Sequence, residues 1–214
     1  MIIDIISDVV CPWCFIGKRR LERALSTRPD LDVEIMWRAF QLNPDMPREG
    51  MERTRYLAAK FGSDANAGRI YGEIEKAGAS EGIEFAFDRI ERTPNTIDAH
   101  RLIRFAGDEG CQDRLVELLF RRYFEQGVDI GAHERLVEAG AEAGLDADAV
   151  RDHLASDAGV DAVRVEDLQA RRIGVSGVPC IIIDGRFAVS GAQAPEVFQR
   201  IFETAEHALA SAND

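Results

Sequence analysis

The chain has 214 residues and a formal net charge of −12, from 26 Lys and Arg against 38 Asp and Glu. This acidity argues against nucleic acid and anionic membrane surfaces as partners, because both attract basic patches. No apolar run approaches the roughly 18 residues of a membrane-spanning helix, and no signal-peptide pattern opens the chain, so we expect a cytoplasmic protein.

Residues 1–40 predict a strand, a helix and a second strand. The apolar run Ile2–Ser7 has the composition of a buried strand. Helical periodicity follows over Phe15–Leu25, and Val33–Phe40 then alternates apolar and polar residues as strands do. This order favours a parallel pair of strands joined by a right-handed crossover.

The central part of the chain predicts a long block of helices. Thr93 stands at an N-cap position and Pro94 at the first helical position of one of them, which together form a strong start signal. A short extended link is expected at Gly82–Asp88. The predicted helices are Met51–Phe61, Ala65–Ala79, Pro94–Ala106, Gln112–Glu125, His133–Ala143, Ala147–Ala155 and Ala158–Arg172.

The C-terminal part predicts two strands and a helix. The strands are Cys180–Asp184 and Phe187–Ser190, and Asp184-Gly185 between them is a signal for a two-residue hairpin turn. Pro195 begins the last helix, which runs to about residue 210.

The order of these elements is β-α-β, then a helical block, then β-β-α, and it predicts an α/β fold. The outer segments, 1–45 and 174–214, are expected to assemble into one sheet flanked by helices. Segment 46–173 is expected to lie beside that sheet as an inserted helical domain.

Two cysteines stand where the first strand meets the first helix. Cys11 and Cys14 are separated by Pro12 and Trp13. The free N–H groups at a helix start carry partial positive charge and stabilise a thiolate, which is the attacking form of cysteine. Cys14 follows one turn later and is close enough to form a disulfide. The expected roles are Cys11 as nucleophile and Cys14 as resolving thiol.

Two other interpretations of this pair remain open at this point. In the first interpretation the pair is half of a zinc site, and in the second it is two buried thiols without a role. A structural zinc site usually needs four ligands, but Cys111 and Cys180 are isolated and the four histidines form no H-x3-5-H pair. No metal site is therefore predicted. Pro12 suits the first helical turn, and a strand followed by a helix is the context of a redox motif.

Four segments spread over the whole chain resemble one known family. They are C-P-W-C-F-I-G from Cys11, T-P-N-T-I-D-A-H-R-L from Thr93, G-V-S-G-V-P from Gly174 and S-G-A-Q from Ser190. They resemble the FrnE-like branch of the DsbA-type thioredoxin superfamily, which is related to 2-hydroxychromene-2-carboxylate isomerases and kappa-class glutathione transferases. The resemblance implies a thioredoxin fold with a large all-helical domain inserted between its halves.

The resemblance also implies a substrate-binding surface. Val178-Pro179 would be a cis peptide facing the cysteines, and the Val178 backbone would pair with an extended substrate segment. Asn95 and Thr96 would offer polar contacts and His100 would face the cleft; the alternatives are that Thr96 only caps a helix and that His100 is a packed side chain. The implied binding residues are Pro12, Trp13, Asn95, Thr96, His100, Val178 and Pro179.

Two further residues lie close to these motifs in sequence. Asp8 precedes Cys11 by three residues, and its carboxylate is a candidate proton shuttle between the thiols. A role in a turn or helix cap is the alternative. Cys180 follows Pro179, where many relatives carry a larger apolar side chain, and we interpret it as a small hydrophobic residue.

The predicted function is thiol-disulfide oxidoreductase, acting on protein or small-molecule thiols and disulfides through a mixed disulfide. No cofactor is required, and glutathione is a possible co-substrate. One alternative is a glutathione-dependent isomerase or transferase, whose members typically replace the first cysteine with serine. Another is a non-catalytic peptide-binding or chaperone-like module. The intact pair of thiols favours the oxidoreductase.

Overall fold

A computed structural model describes residues 1–62 and 64–210, so the last four residues of the predicted 174–214 segment lie outside it. The strands are β1 (Ile2–Ser7), β2 (Glu34–Ala39), β3 (Met51–Glu52), β4 (Arg92–Thr93), β5 (Cys180–Ile183) and β6 (Phe187–Ser190). The helices are α1 (Pro12–Ser26), α2 (Arg53–Phe61), α3 (Asp64–Ala79), α4 (Ile97–Asp108), α5 (Gln112–Phe124), α6 (His133–Ala143), α7 (Ala147–Ala155), α8 (Val160–Arg172) and α9 (Pro195–Ala210).

The main sheet has the strand order β2-β1-β5-β6. β1 and β2 are parallel, whereas β5 pairs antiparallel with both β1 and β6. The turn between β5 and β6 has positive φ angles of 49° at Asp184 and 66° at Gly185, as a primed hairpin turn requires. Ile183 pairs with Phe187, so residues 184–186 form the loop and the predicted two-residue loop is one residue too short. The predicted α/β fold with its β-α-β and β-β-α halves is confirmed.

Helices α2 to α8 all fall between β2 and β5 in the chain, so the four main strands come from its two outer segments. We therefore propose the division into a sheet domain, 1–45 and 174–214, and an inserted helical domain, 46–173. The two parts share one core: Phe15 of α1 is fully buried and stacks on Phe120 of α5, with the ring centroids 5.1 Å apart.

The helical domain also covers the outer edge of β2. The N–H of Phe40 bonds inward to the Ser7 carbonyl, whereas the N–H groups of Trp37, Ala39 and Gln41 face outward. All three donate at 2.8–2.9 Å to side-chain oxygens of the helical domain. The acceptors are, in order, Gln112, Glu166 and Asp167. The unpaired N–H groups of an exposed strand edge invite pairing with another chain. Here the side chains of the helical segment accept these N–H groups instead.

The predicted start of the fourth helix is wrong by three residues. α4 begins at Ile97 rather than Pro94, because Thr93 pairs with Met51 in the short β3–β4 ladder. Thr96 is the N-cap residue but makes no side-chain cap bond; the preceding Asn95 accepts the N–H of Ile97 on its side-chain oxygen at 2.9 Å. Met51–Glu52 form the other strand of this ladder. The predicted second helix therefore starts at Arg53 rather than at Met51.

Gly17 allows α1 to approach the loop that precedes β5. A Cβ at this position would lie 2.9 Å from the Cγ of Pro179, which is a rigid ring atom. We expect Gly17→Ala to lower the free energy of unfolding by about 1–3 kcal/mol, the usual cost of overpacking, although alanine is the better helix former. Urea unfolding measures the difference.

Gly72→Ala is the matched control, because a Cβ at that α3 position meets nothing within 4 Å. We expect this variant to be as stable as the parent or slightly more stable. A Gly17→Ala protein that unfolds at the parent urea concentration would contradict the close approach.

Candidate active site

Cys11 and Cys14 lie at the junction of β1 and α1, as predicted. Cys11 is the N-cap of α1, with an extended backbone, and Pro12 is the first helical residue. The Cys14 N–H donates to the Cys11 carbonyl at 3.0 Å, so the two residues are one turn apart. Both are free thiols, and they are 4% and 1% exposed.

The loop before β5 faces this pair. The Val178-Pro179 peptide is cis, and the Cys11 thiol donates to the Val178 carbonyl at 3.5 Å. Beside Cys11 on the other side, Pro12 is half-buried and Trp13 is exposed. The structure thus gathers four of the predicted binding residues around the first thiol.

The two thiols differ in their surroundings. Complete burial raises the pKa of the Cys14 thiol well above its ordinary value, and the neighbouring Cys11 sulfur raises it further. The Ser7 hydroxyl and the Asp8 backbone N–H face the Cys14 sulfur and act in the opposite direction. Cys14 is therefore a neutral thiol near neutral pH.

Asp8 is completely buried beneath the motif. One carboxylate oxygen, Oδ2, accepts the Leu42 N–H at 2.8 Å. The other, Oδ1, lies 3.4 Å from Nε2 of His100. No described side chain caps the start of α1, so the helix-cap interpretation of Asp8 is wrong. The turn interpretation is right, because the Cys11 N–H donates to the Asp8 carbonyl at 3.0 Å. Its carboxylate instead ties the end of β1 to the loop after β2 and to α4.

His100 does not face the open cleft, which corrects the sequence-based expectation. It is 3% exposed and lines a cavity of about 10 Å³ together with Ser7, Trp37 and Val116. The reason is the packing of α4 against β2 and α5, which places position 100 on the buried face of the helix. A single histidine in a sequence carries no signal for that orientation.

Asn95 and Thr96 lie near a separate, open groove. The groove has a volume of about 800 Å³ and is bordered by the loop after β2, the start of α4 and α8. Asn95 lines it, but both ends of its amide are already bonded, to the Met46 carbonyl and the Ile97 N–H. Thr96 is buried. The described residues that line the groove include neither Cys11 nor Cys14.

The remaining cysteines lie outside the pair. Cys180 is 5% exposed and packs with Ile6, Phe40 and Ala170; burial raises its pKa. This confirms its interpretation as a small hydrophobic residue. Cys111 is half-buried just before α5.

Sequence reasoning missed the contact between Asp8 and His100. His100 lies far from Asp8 in the chain, and no spacing rule links the two. Within residues 1–62 and 64–210, no group of three or more His, Cys, Asp and Glu could hold a metal ion. In the same ranges no helix combines the length and apolarity needed to cross a membrane.

Comparisons with known proteins place this arrangement in a family. The model of the DSBA-like thioredoxin domain matches residues 2–203. The crystal structure of a probable DsbA oxidoreductase from Streptomyces coelicolor is 34% identical, with a TM-score of 0.88 over 97% of this chain and 90% of that one.

Two more distant structures share the fold. A 2-hydroxychromene-2-carboxylate isomerase is 18% identical, with a TM-score of 0.71 over 100% of this chain and 98% of that one. The cytosolic disulfide reductase DsbM from Pseudomonas aeruginosa, solved with GSH, is 18% identical, with a TM-score of 0.66 over 97% of this chain and 100% of that one. Because the family model spans almost the whole chain, the protein belongs to the DsbA-like thioredoxin domain family.

Proposed function

We propose that the protein is a thiol-disulfide oxidoreductase whose redox centre is the Cys11–Cys14 pair. The observation that carries this proposal is the asymmetry of the two thiols. Cys11 stands at the start of α1 beside the Val178 carbonyl, whereas Cys14 is sealed in the interior with a raised pKa. Cys11 is placed to attack a substrate, and Cys14 is placed to resolve the mixed disulfide that forms.

The proposed reaction has two exchange steps. The Cys11 thiolate attacks a substrate disulfide, forms a mixed disulfide and releases one substrate thiol. Cys14 then loses its proton and attacks the Cys11 sulfur, which breaks the bond to the substrate and releases the second thiol. The substrate disulfide is reduced by two electrons, and the protein pair is oxidised. The reverse sequence oxidises a substrate dithiol.

The substrate is proposed to bind along the Val178-Pro179 loop as an extended segment that pairs with the Val178 backbone. Its own polar groups would compete with the Cys11 thiol for the Val178 carbonyl and so free the sulfur as binding occurs. The exposed Trp13 ring and Pro12 provide apolar contact next to the reacting sulfur.

Protein disulfides and small disulfides are both proposed as substrates. The related reductase DsbM was solved with GSH, which supports glutathione as a possible co-substrate here. DsbM is a cytosolic protein, which agrees with the expected cytoplasmic location. The glutathione-dependent isomerase alternative shares the fold. It is disfavoured because both cysteines are present and stand in the attacking and resolving positions.

The reduction potential of the pair tests the proposal. Equilibration against mixtures of reduced and oxidised glutathione, followed by thiol quantification, is expected to give a reversible two-electron couple. Its potential should fall between about −270 mV, as in thioredoxin, and about −120 mV, as in DsbA. A Cys111→Ala, Cys180→Ala variant should keep the same potential, because these two thiols lie outside the pair.

A pair that shows no reversible couple would overturn the proposal. In that case tight binding of glutathione with turnover would favour the isomerase or transferase. Suppression of aggregation by a redox-inert protein would favour the peptide-binding module.

A further inference from the structure

A buried amide lines the open groove between the loop after β2, the start of α4 and α8. It belongs to Gln41, which is 3% exposed, and no described residue forms a hydrogen bond with its side-chain nitrogen, Nε2. The amide of Asn95, which lines the same groove, is bonded at both ends. Because buried polar atoms are paired in the great majority of cases, the unpaired amide of Gln41 points to a ligand in the groove.

The backbone of Gln41 is held in place while its side chain is free to turn. The Gln41 N–H donates to the Asp167 carboxylate of α8 at 2.8 Å, and its carbonyl accepts from the Arg171 guanidinium at 2.6 Å. The terminal bond of a glutamine side chain rotates at little cost. The amide therefore offers the groove two N–H donors or, after a half-turn, a carbonyl oxygen.

The charges of the described residues that line the groove cancel. Asp98 is 2.6 Å from the Arg101 guanidinium and 2.9 Å from the His133 ring, and Asp167 is 2.9 Å from Arg171. Two carboxylates and two guanidinium groups remain, and they belong to Arg48, Asp157, Asp161 and Arg164. A groove in which both signs are balanced favours a neutral ligand over a phosphate or a nucleotide, which would need an excess of basic groups.

Apolar side chains complete the groove. Leu168 of α8 is 52% exposed, and Met46, Ile97 and Val160 line the same groove, whose volume is about 800 Å³. An extended polypeptide fits this combination, because its peptide groups are neutral and carry one donor and one acceptor each, as an amide side chain requires. Its own side chains would reach the apolar wall.

The Gln41 end of the groove is connected to the redox motif. Leu42, which follows Gln41, donates its N–H to the Asp8 carboxylate at 2.8 Å, and the Asp8 carbonyl accepts the Cys11 N–H at 3.0 Å. Leu42 and Val178 also pack against the same small core cluster. A protein whose disulfide meets Cys11 therefore has its flanking chain close to the groove.

We propose that this groove binds an extended segment of a substrate protein, with the Gln41 amide bonded to the main chain of the segment and Leu168 in apolar contact with it. The identity of the partner as a substrate rests on the proposed function. No covalent bond forms or breaks in the groove, which adds affinity for a polypeptide at a distance from the exchanging sulfurs. Oxidised glutathione has no such flanking chain, so the groove favours protein disulfides over small ones.

The test is the binding of an unfolded polypeptide that has neither a thiol nor a disulfide, so that redox chemistry takes no part. Reduced and carboxamidomethylated ribonuclease A carries a fluorophore, and its anisotropy is followed as the protein is added. Gln41→Met keeps the length of the side chain but removes the amide. We expect this variant to bind about 10-fold more weakly, because a peptide group of the ligand then lacks its hydrogen bond. Its rate with oxidised glutathione should equal that of the wild type.

Leu168→Ser and Val165→Ser form a matched pair on α8. The two side chains are 52% and 48% exposed, so neither replacement is expected to disturb folding. Of the two, Leu168 lines the groove. Leu168→Ser should therefore weaken binding by about 3- to 10-fold through lost apolar contact, whereas Val165→Ser should bind as the wild type does.

Urea unfolding separates a binding role of Gln41 from a structural one. Gln41→Met should unfold at a urea concentration no lower than that of the wild type, because it replaces an unpaired buried amide with an apolar side chain. A lower midpoint would mean that the amide supports the fold, and the proposal would be overturned.

The binding data decide the proposal in the same way. Wild-type affinity in Gln41→Met or in Leu168→Ser, an equal loss in Leu168→Ser and Val165→Ser, or no binding by the wild type would each overturn it. The oxidoreductase would stand in all of these cases if the Cys11–Cys14 pair shows its reversible couple. Binding in the groove without such a couple would instead refute the proposed function and leave a peptide-binding protein.

Discussion

Cys11→Ser is expected to abolish disulfide exchange, whereas Cys14→Ser is expected to trap a mixed disulfide on Cys11. Removal of the attacking thiol should lower the rate of exchange on the order of 10³-fold or more, as the loss of a nucleophile does. In Cys14→Ser the first attack remains, but no thiol follows to release the substrate. With oxidised glutathione as substrate, mass spectrometry should detect one glutathione per chain.

The physical reason for this difference is the position of each sulfur. Cys11 is the N-cap of α1 and touches the loop at Val178, so a substrate bound there reaches it first. Cys14 is 1% exposed, and its raised pKa keeps it protonated near neutral pH. The same direction of shift predicts that the resolving step becomes faster as the pH rises, because the thiolate fraction of Cys14 increases.

Cys180→Ser is the matched control, because this thiol is also buried and directly follows Pro179. It should exchange disulfides at the parent rate. A glutathione adduct that forms on Cys180 in the Cys11→Ser protein would contradict the assignment of the nucleophile. A Cys11→Ser, Cys14→Ser double variant that still exchanges disulfides would refute the proposed function.

Arg101→Met is expected to lower the free energy of unfolding by about 3–5 kcal/mol, as removal of one partner of a buried ion pair does. Arg101 is completely buried in α4. Its guanidinium donates to the Asp98 carboxylate and to the carbonyls of His153, Ser156 and Ala158, at 2.6–2.7 Å. It therefore joins the end of α7 to the turn into α8, and its loss removes a charge-assisted hydrogen bond from each of these four acceptors.

Urea unfolding measures the effect, and Arg151→Met is the matched control. Arg151 lies on α7 with half of its side chain exposed and pairs only with Asp148 among the described residues. Its replacement should change the unfolding free energy by no more than about 0.5 kcal/mol. Arg101→Lys should also be strongly destabilised, because one ammonium group does not reproduce the planar fork of donors. An Arg101→Met protein as stable as the Arg151→Met protein would contradict this account.

Local patterns in the sequence were sufficient to predict the strands of the main sheet and the position of the cysteine pair. The apolar run Ile2–Ser7, followed by a proline at the first helical position, predicts that Cys11 begins a helix, because strand composition and helix initiation depend on neighbouring residues. The Asp184-Gly185 turn was predictable for the same reason, since few residue pairs accept positive φ angles. The start of α4 was not, because Thr93 is held by pairing with the distant Met51.

The tertiary structure decided what surrounds the redox pair. His100 belongs to the interior rather than to the cleft because α4 packs on β2 and α5. Asp8 meets it from the other half of the fold, and the fully buried Arg101 closes a neighbouring turn of the helical domain. Contacts of this kind join segments that are far apart in the chain. They depend on which faces of the sheet and the inserted helices pack together, and no short-range pattern of residue types records that choice.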